Sequence, residues 1–444
     1  MLSFLSGFFI FNLLYHIFTT ITVYGREFFS SSFPSLLRES IRCLFIFIIF
    51  LLNYKQRKSY RNRRKRSRIT FGIVLIFATS ISYFFKERWF QDIFIGIKYW
   101  FRRMFILLSA TSIGYFYRNI FSNKKFLSNI KRGLILTIII WLLRQGAKLI
   151  TPTFFERIGY GPLDDFHFWS NPPLYYLTGY EGTLRRQGIF AGPNNYGYFL
   201  VAFFPLILLF FGEKIKNLKQ ISLFQWINIG IICLWIIAMI MTLSRAVILW
   251  GILVLIILNR KTIKTNKKRL LWWWISLAII ITILSILKRE STLWHLTSKL
   301  WAIPHIINEP LGYGLGSSGP AVHHNGTLLP ENYFFQIMLD TGTTGFILRT
   351  IAMFQLIGIH YYIKKSLQQK KTTETEQTQY LMLNRIQIGF LSLLLIGLFL
   401  HVFEDSMVNY LFFIIYGIFL GTLSHLIQEN IRFFFPNKTT LLKK

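Results

Sequence analysis

Long apolar runs constrain this 444-residue chain more than anything else in it. A run of about 18 or more apolar residues is long enough to cross a bilayer as a helix. About twelve such runs can be read, near 3–23, 41–53, 69–85, 98–121, 133–150, 195–212, 224–243, 246–259, 270–287, 342–363, 387–403 and 409–427. The second and eighth are short and need tilt, flanking aromatics or local thinning. The stretch 86–103 is interrupted by Arg102 and Arg103 and suits an interfacial segment as well as a span. With 53% hydrophobic, 18% aromatic and only 15% charged residues, an ordinary soluble domain is excluded. The expected fold class is therefore all-α. It is a polytopic integral membrane protein of about twelve transmembrane helices. No soluble domain and no internal repeat stand out, so 1–444 reads as a single membrane domain.

Net charge is +32, from 50 Lys+Arg against 18 Asp+Glu. Such a balance suits nucleic-acid binding or the bias of cytoplasmic loops toward lysine and arginine. The distribution favours the second. Basic clusters fall in alternate loops, at Lys55–Arg68, Lys124–Arg132, Lys214–Lys219, Arg260–Arg269, Lys364–Lys371 and from Arg432 onward. Placing them all in the cytoplasm gives one consistent topology with both termini inside and no nucleic-acid partner. The run KQRKSYRNRRKRSR is also suited to anionic lipid. Met1 opens no signal-peptide pattern, so the first span is expected to be retained. Cys43 and Cys233 lie in apolar runs and offer neither a disulfide framework nor metal spacing.

This topology leaves two long segments outside, 151–194 and 288–341, the latter between spans nine and ten. Loops of this length in a compact membrane fold are usually functional. The first carries Pro152, Pro162, Pro172 and Pro173. The second begins with a predicted short helix near Ser291–Ile307. It continues into GYGLGSSGPAVHHNGTLLPENYFFQIMLDTGTTG, from Gly312 to Gly345. Trp272, Trp273 and Trp274 follow a basic loop and read as an aromatic belt anchor.

Several cations run against the positive-inside bias. Arg185 and Arg186 precede a span, Arg245 lies on the tight turn TLSRA, and Arg144 and Lys148 share a helix face four residues apart. A guanidinium suits bidentate contact with phosphate oxygens, so these residues outline an anionic pocket at the outer rim, most simply for a diphosphate. Snorkelling to lipid headgroups is the alternative. GYGLGS lacks the Lys-Ser/Thr of a nucleotide phosphate loop, so its glycines read as a tight backbone path. His323 and His324 are candidate bases or plain surface histidines. Glu331 is a candidate base or a helix N-terminal carboxylate. Asp164, Asp165 and His167 could bind a metal, but a carboxylate pair on a loop is usually solvated, and solvation is the favoured reading.

Three of these features together resemble the superfamily of O-antigen polymerases and O-antigen ligases. One is Arg185-x-x-Gly188-x-Phe190-x-x-Pro193-Asn194 entering a span. The second is Thr242-x-Ser244-Arg245 between two spans. The third is the glycine loop Gly312–Gly316, with the outside loop ending in Asn332 and Gly342-x-x-Gly345. The resemblance covers roughly 180–350. It implies a membrane glycosyltransferase of the bacterial inner membrane, with a polyprenyl-diphosphate-linked glycan as donor, a glycan acceptor and neither metal nor other cofactor. It implies catalytic roles for Arg185, Arg245, Glu331 and His324, and diphosphate or sugar contacts for Arg144, Lys148, Arg186, Asn194 and Asn332. Ligases of this family carry His-Asn followed by nine residues, a glycine, two residues and another small residue. Counting back from Gly342 gives Glu331-Asn332, with His324-Asn325 seven residues too early. Polymerase-like members often carry an acidic residue there. The resemblance thus leans toward polymerase, with ligase-type transfer to lipid or protein and lipid-linked sugar transport as alternatives.

Overall fold

The computed structural model describes residues 106–108, 110–115, 117, 124–150, 176–178, 183–187, 190, 192–212, 222–258, 289–314, 317–318, 330, 332–369, 373–403 and 406–434. The runs near 3–23, 41–53, 69–85 and 270–287, and much of 98–121, lie outside these residues. So do Asp164, Asp165, His167, His323, His324 and Glu331. Apart from one short ladder the described elements are helices: α1 (Lys124–Ile150), α2 (Pro193–Phe211), α3 (Leu223–Met241), α4 (Arg245–Leu258), α5 (Arg289–Asn308), α6 (Tyr333–Gln369), α7 (Glu374–Ile396) and α8 (Ser406–Phe434). Between α1 and α2, strands β1 (Tyr176–Thr178) and β2 (Thr183–Arg185) pair antiparallel, with Tyr176 opposite Arg185. Among the described residues, the helices long and apolar enough to cross a membrane are Phe126–Gly146, Pro193–Phe211, Leu223–Met241, Tyr333–Gln369 and Glu374–Ile396. Described residues of Asn123–Leu284, with Ile388–Leu393, form one compact unit. Those of Ile49–Ser122, Ser285–Gln387 and Leu394–Lys444 form a second.

In the first unit α2 is the core helix. It is apolar all round, as a helix enclosed by others must be, and residues from Tyr196 to Ile207 are buried without interruption. It packs against α3 and α4. The Trp235 indole of α3 donates to the Leu200 carbonyl at 2.9 Å, giving a buried N–H an acceptor. α1 buries Phe126, Ile130, Leu134, Ile138 and Trp141, a helical spacing, and exposes Ile139, Leu142 and Leu143 on the other side. Two cation–π contacts orient the bundle. Lys131, near the start of α1, lies 4.6 Å from the Phe211 ring at the end of α2 and 5.6 Å from the Phe224 ring at the start of α3. The basic-loop ends of these helices therefore meet. The end of α1, the start of α2, the end of α3 and the start of α4 gather at the opposite end.

In the second unit α6 is not one rod. Gly342 breaks it at φ 68° and ψ −174°. Arg349 Cζ lies 5.7 Å from the Tyr333 ring. Phe334 and Phe346 have centroids 6.3 Å apart. On a straight helix Tyr333 and Arg349 would be about 24 Å apart. The two arms, 333–341 and 343–369, therefore fold side by side into a hairpin with Gly342 at its tip. The outside loop expected to run to 341 gives way to helix at Tyr333, because Asn332 caps it. Asn332 Oδ1 accepts from the Phe334 and Phe335 amides at 2.8 and 3.2 Å.

α7 likewise starts earlier than the apolar run near 387–403 suggests. Thr373 and Glu376 form a reciprocal capping box, at 3.0 and 3.2 Å, that nucleates helix in a polar stretch. α8 packs closely on a helical stretch within Ile106–Tyr115. A Cβ on Gly417 would stand 2.8 Å from the Leu107 carbonyl oxygen. On Gly421 it would stand 2.8 Å from the Tyr115 nitrogen. Small residues one turn apart let two backbones approach, the packing expected where lipid supplies no hydrophobic drive between helices.

Candidate functional site

The opposite end of the first unit assembles most of the cations singled out in the sequence. Arg185 closes β2. Its Nε donates to the Thr242 carbonyl at 2.9 Å, and its Nη2 donates to Asn194 Oδ1 at 2.8 Å. One guanidinium thus ties the β2 strand to the α3–α4 turn and to the first turn of α2. The neighbouring amide of Arg186 donates to the Met241 carbonyl at 2.9 Å. Its Nη1 donates to Gln145 Oε1 of α1 at 3.3 Å. Arg185 and Arg186 therefore fill carbonyls that the end of α3 would otherwise leave without helical partners.

The turn itself is tight. Thr242 Oγ1 donates to the Met239 carbonyl at 2.7 Å and accepts from the Ser244 amide at 3.3 Å. Leu243 takes φ 50°, a left-handed conformation costly for a leucine. Two residues later Arg245 opens α4. A cation at a helix N-terminus opposes the macrodipole, so local helix energetics do not account for it. α2 begins in the complementary way, with Pro193 in its first turn, Gly192 as a cap without side-chain bonds, and no acid in the first turn. Such a helix start favours an anion. The motif Phe190 is buried and packs on Tyr196 and Phe199 with centroids 5.3 and 5.2 Å apart, holding the chain between Arg185 and Pro193. Arg144 is half-buried on α1, next to Gln145, and Lys148 lies in its last turn.

In the second unit the glycine loop packs on the hairpin tip. The Tyr313 amide donates to the Leu339 carbonyl at 2.6 Å, and the Thr343 amide donates to the Pro310 carbonyl at 2.9 Å. A Cβ on Gly312 would lie 2.5 Å from the Gly342 nitrogen, and both glycines have positive φ. This close crossing is the physical content of Gly312 and Gly342-x-x-Gly345. Asp340, fully buried, accepts from Ser318 Oγ at 2.6 Å and Ser317 Oγ at 3.1 Å. His305 Nδ1 lies 3.2 Å from the Tyr313 hydroxyl. Burial and then the Glu309 carboxylate push the Tyr313 phenol above its usual range, so it stays neutral. At the other end of the short arm, Asn332 Nδ2 donates to the Leu398 carbonyl at 2.8 Å. His401 Nδ1 lies 3.2 Å from the buried Gln336 Oε1. Asn332 is thus committed to its cap and to the α7–α8 turn.

Arg185, Arg186, Asn194, Thr242 and Arg245 come together on one end of one unit. Asn332 belongs to the second unit, and Glu331 and His324 are outside the described residues. Sequence reasoning missed Asp340 and its two serines. The signal was a lone carboxylate in an otherwise apolar helix, two residues before a glycine. It also missed Gln145, which accepts from Arg186.

No protein-family model matches the chain, and no solved structure matches it. It is similar to an O-antigen polymerase of Salmonella muenchen, at 26% identity over 228 residues, covering 46% of this chain and 53% of the relative. The chain thus spans about half the length of the curated relative it matches. That similarity agrees with the motif resemblance: this is a helical membrane protein similar to an O-antigen polymerase.

Proposed function

We propose that the protein is a membrane glycosyltransferase that joins lipid-linked oligosaccharide repeats into a polymer on the outer face of the bacterial cytoplasmic membrane. Its donor is a glycan on polyprenyl diphosphate, and its acceptor is a second glycan. The observation that carries this is the Arg185 guanidinium, fixed by Thr242 and Asn194 beside the Arg245 turn and the uncapped start of α2. Cations and helix-start amides at one end suit the charge that builds on a departing diphosphate. An acceptor hydroxyl oxygen attacks the anomeric carbon and the bond from that carbon to the diphosphate oxygen breaks. The lipid diphosphate leaves with the electron pair, and Glu331 takes the hydroxyl proton. Positioning two sugars is most of the remaining task. Arg144, Lys148 and Arg186 belong to the same end of the unit and serve the same diphosphate, with the basic loops on the cytoplasmic side.

Deleting the protein in its host tests this. Single repeats accumulating on the lipid carrier support polymerisation. Full polymers accumulating on the carrier indicate a ligase. Repeats trapped on the cytoplasmic side indicate a transporter.

A further inference from the structure

Helix α5 is apolar on two opposite sides. One side faces the protein. Ala302 is fully buried against Leu339 of the shorter hairpin arm, with Ile306, Tyr313 and Phe335 packed around them. The other side faces away. Leu293, Leu300, Ile303 and Ile307 recur at helical spacing and are 40–70% exposed. At one edge of this stripe the Lys299 ammonium lies 4.5 Å from the centre of the Phe399 ring. At the other edge the exposed Trp301 ring lies 4.5 Å from that of His305. A helix with apolar residues on opposite sides belongs in a core or in lipid, and such an exposed stripe marks a docking or membrane surface.

The hairpin fixes the depth of the stripe. The longer arm of α6 belongs to a helix long and apolar enough to cross a membrane, so its Gly342 end reaches one membrane surface. The shorter arm, 333–341, runs back from that end for about 13 Å. α5 and the loop after it touch this arm at Leu339 and Phe335, and Gly312 crosses Gly342 itself. These contacts hold α5 in the zone of headgroups and first acyl carbons, where an amphipathic helix lays its apolar face about 5–10 Å deep. An indole at the edge of the stripe suits that zone. On the longer arm Ile347, Ile351 and Phe354 are likewise 45–65% exposed, so the stripe is of one kind with the lipid-facing surface of the span. We propose that α5 is an interfacial helix, with Leu300, Ile303 and Ile307 seated in the lipid of the leaflet at the Gly342 end. Under the proposed topology this is the outer leaflet. Seated there, α5 holds the glycine loop at a set depth. The inference rests on the crossing of the longer arm and not on the reaction catalysed.

The test uses the full-length protein in phospholipid nanodiscs, with Cys43→Ser and Cys233→Ser as background. Nitroxide labels are placed singly through Ile303→Cys and Ile307→Cys. Phe354→Cys on the spanning arm is the lipid control, and Glu374→Cys at the exposed start of α7 is the water control. Collision rates are read with molecular oxygen, which concentrates among acyl chains, and with a neutral nickel chelate, which stays in water. The oxygen-to-nickel ratio at 303 and 307 should be several-fold higher than at 374 and approach that at 354. A ratio like that at 374 means the stripe faces water and overturns the proposal. Low collision rates with both agents mean that protein, such as a second copy of this chain, covers the stripe, and overturn it too. Both agents reach both faces of a nanodisc, so the outcome does not depend on which face is outside. Impermeant labelling of intact cells decides that separately.

Discussion

Gly342→Ala puts the hairpin to a direct test. At φ 68° and ψ −174° the residue occupies a region open essentially to glycine alone. An alanine there costs about 1–3 kcal/mol in backbone strain. The added Cβ would stand 2.5 Å from the Leu311 carbonyl carbon and 2.7 Å from its Cα, and would run into the Pro310 carbonyl oxygen. That carbonyl is held by both the Thr343 amide and its hydroxyl, at 2.9 and 3.2 Å, so it cannot retreat freely. Overpacking of this kind costs a further 1–3 kcal/mol or so. The sum is about 2–6 kcal/mol. Gly358→Ala is the matched control, since its Cβ meets nothing within 4 Å in the longer arm. There the substitution is expected to stabilise by roughly 0.5–1 kcal/mol. Purified variants in detergent are heated and the monodisperse fraction is read by size exclusion. Gly342→Ala should lose its peak at temperatures that the parent and Gly358→Ala survive. Equal behaviour of the two alanine variants would show that the chain does not reverse at Gly342.

Four further outcomes are expected. Arg185→Lys keeps the charge but cannot bridge Thr242 and Asn194 with one planar fork, so polymer made by cells should fall at least tenfold, as with Arg245→Lys, at unchanged membrane levels; near-normal glycan on both variants would reassign these residues to lipid contact. Asn332→Asp keeps the helix cap but loses the donor to Leu398, so thermal stability should drop by about 1–3 kcal/mol, less than for Asn332→Ala; equal losses would assign the whole effect to the cap. Glu331→Gln should lose on the order of 10²–10⁴ in polymerisation rate and His324→Ala far less; the reverse order would point to a histidine base. A single cysteine in place of the half-buried Leu243 should react with an impermeant reagent on intact cells, whereas one within 260–269 should not; labelling of the latter would sink the topology.

Hydropathy made the spans of α2, α3 and α4 legible to within about two residues, because each is a nearly unbroken apolar run, but it missed the basic start of α1 at 124–132. It failed at α6 and α7 for different physical reasons. The arm 333–341 contains Asn332 at its cap and Asp340 inside it, and its stability comes from Gly397, Leu398 and the serines of a loop distant in sequence. α7 begins in ETEQTQ, where a capping box does what apolar content does elsewhere. At the candidate site the cations were visible because they defy the charge rule. Gln145 was not, since nothing in the sequence ties it to Arg186, 41 residues further along the chain.

The hairpin also acts as a ruler. Residues 343–369 would measure about 40 Å as a helix, against a hydrocarbon thickness of about 30 Å. The surplus, about 10 Å, matches the polar end 364–369, about 9 Å of helix, which the proposed topology puts on the cytoplasmic side. Residues 343–363 then cover about 32 Å, close to the hydrocarbon thickness. The Gly342 tip meets the outer surface, and the base of the hairpin, where Arg349 stacks on Tyr333, lies about 10 Å beneath it. A short re-entrant arm thus brings an aromatic face to a guanidinium at a depth where a cation needs such a neighbour.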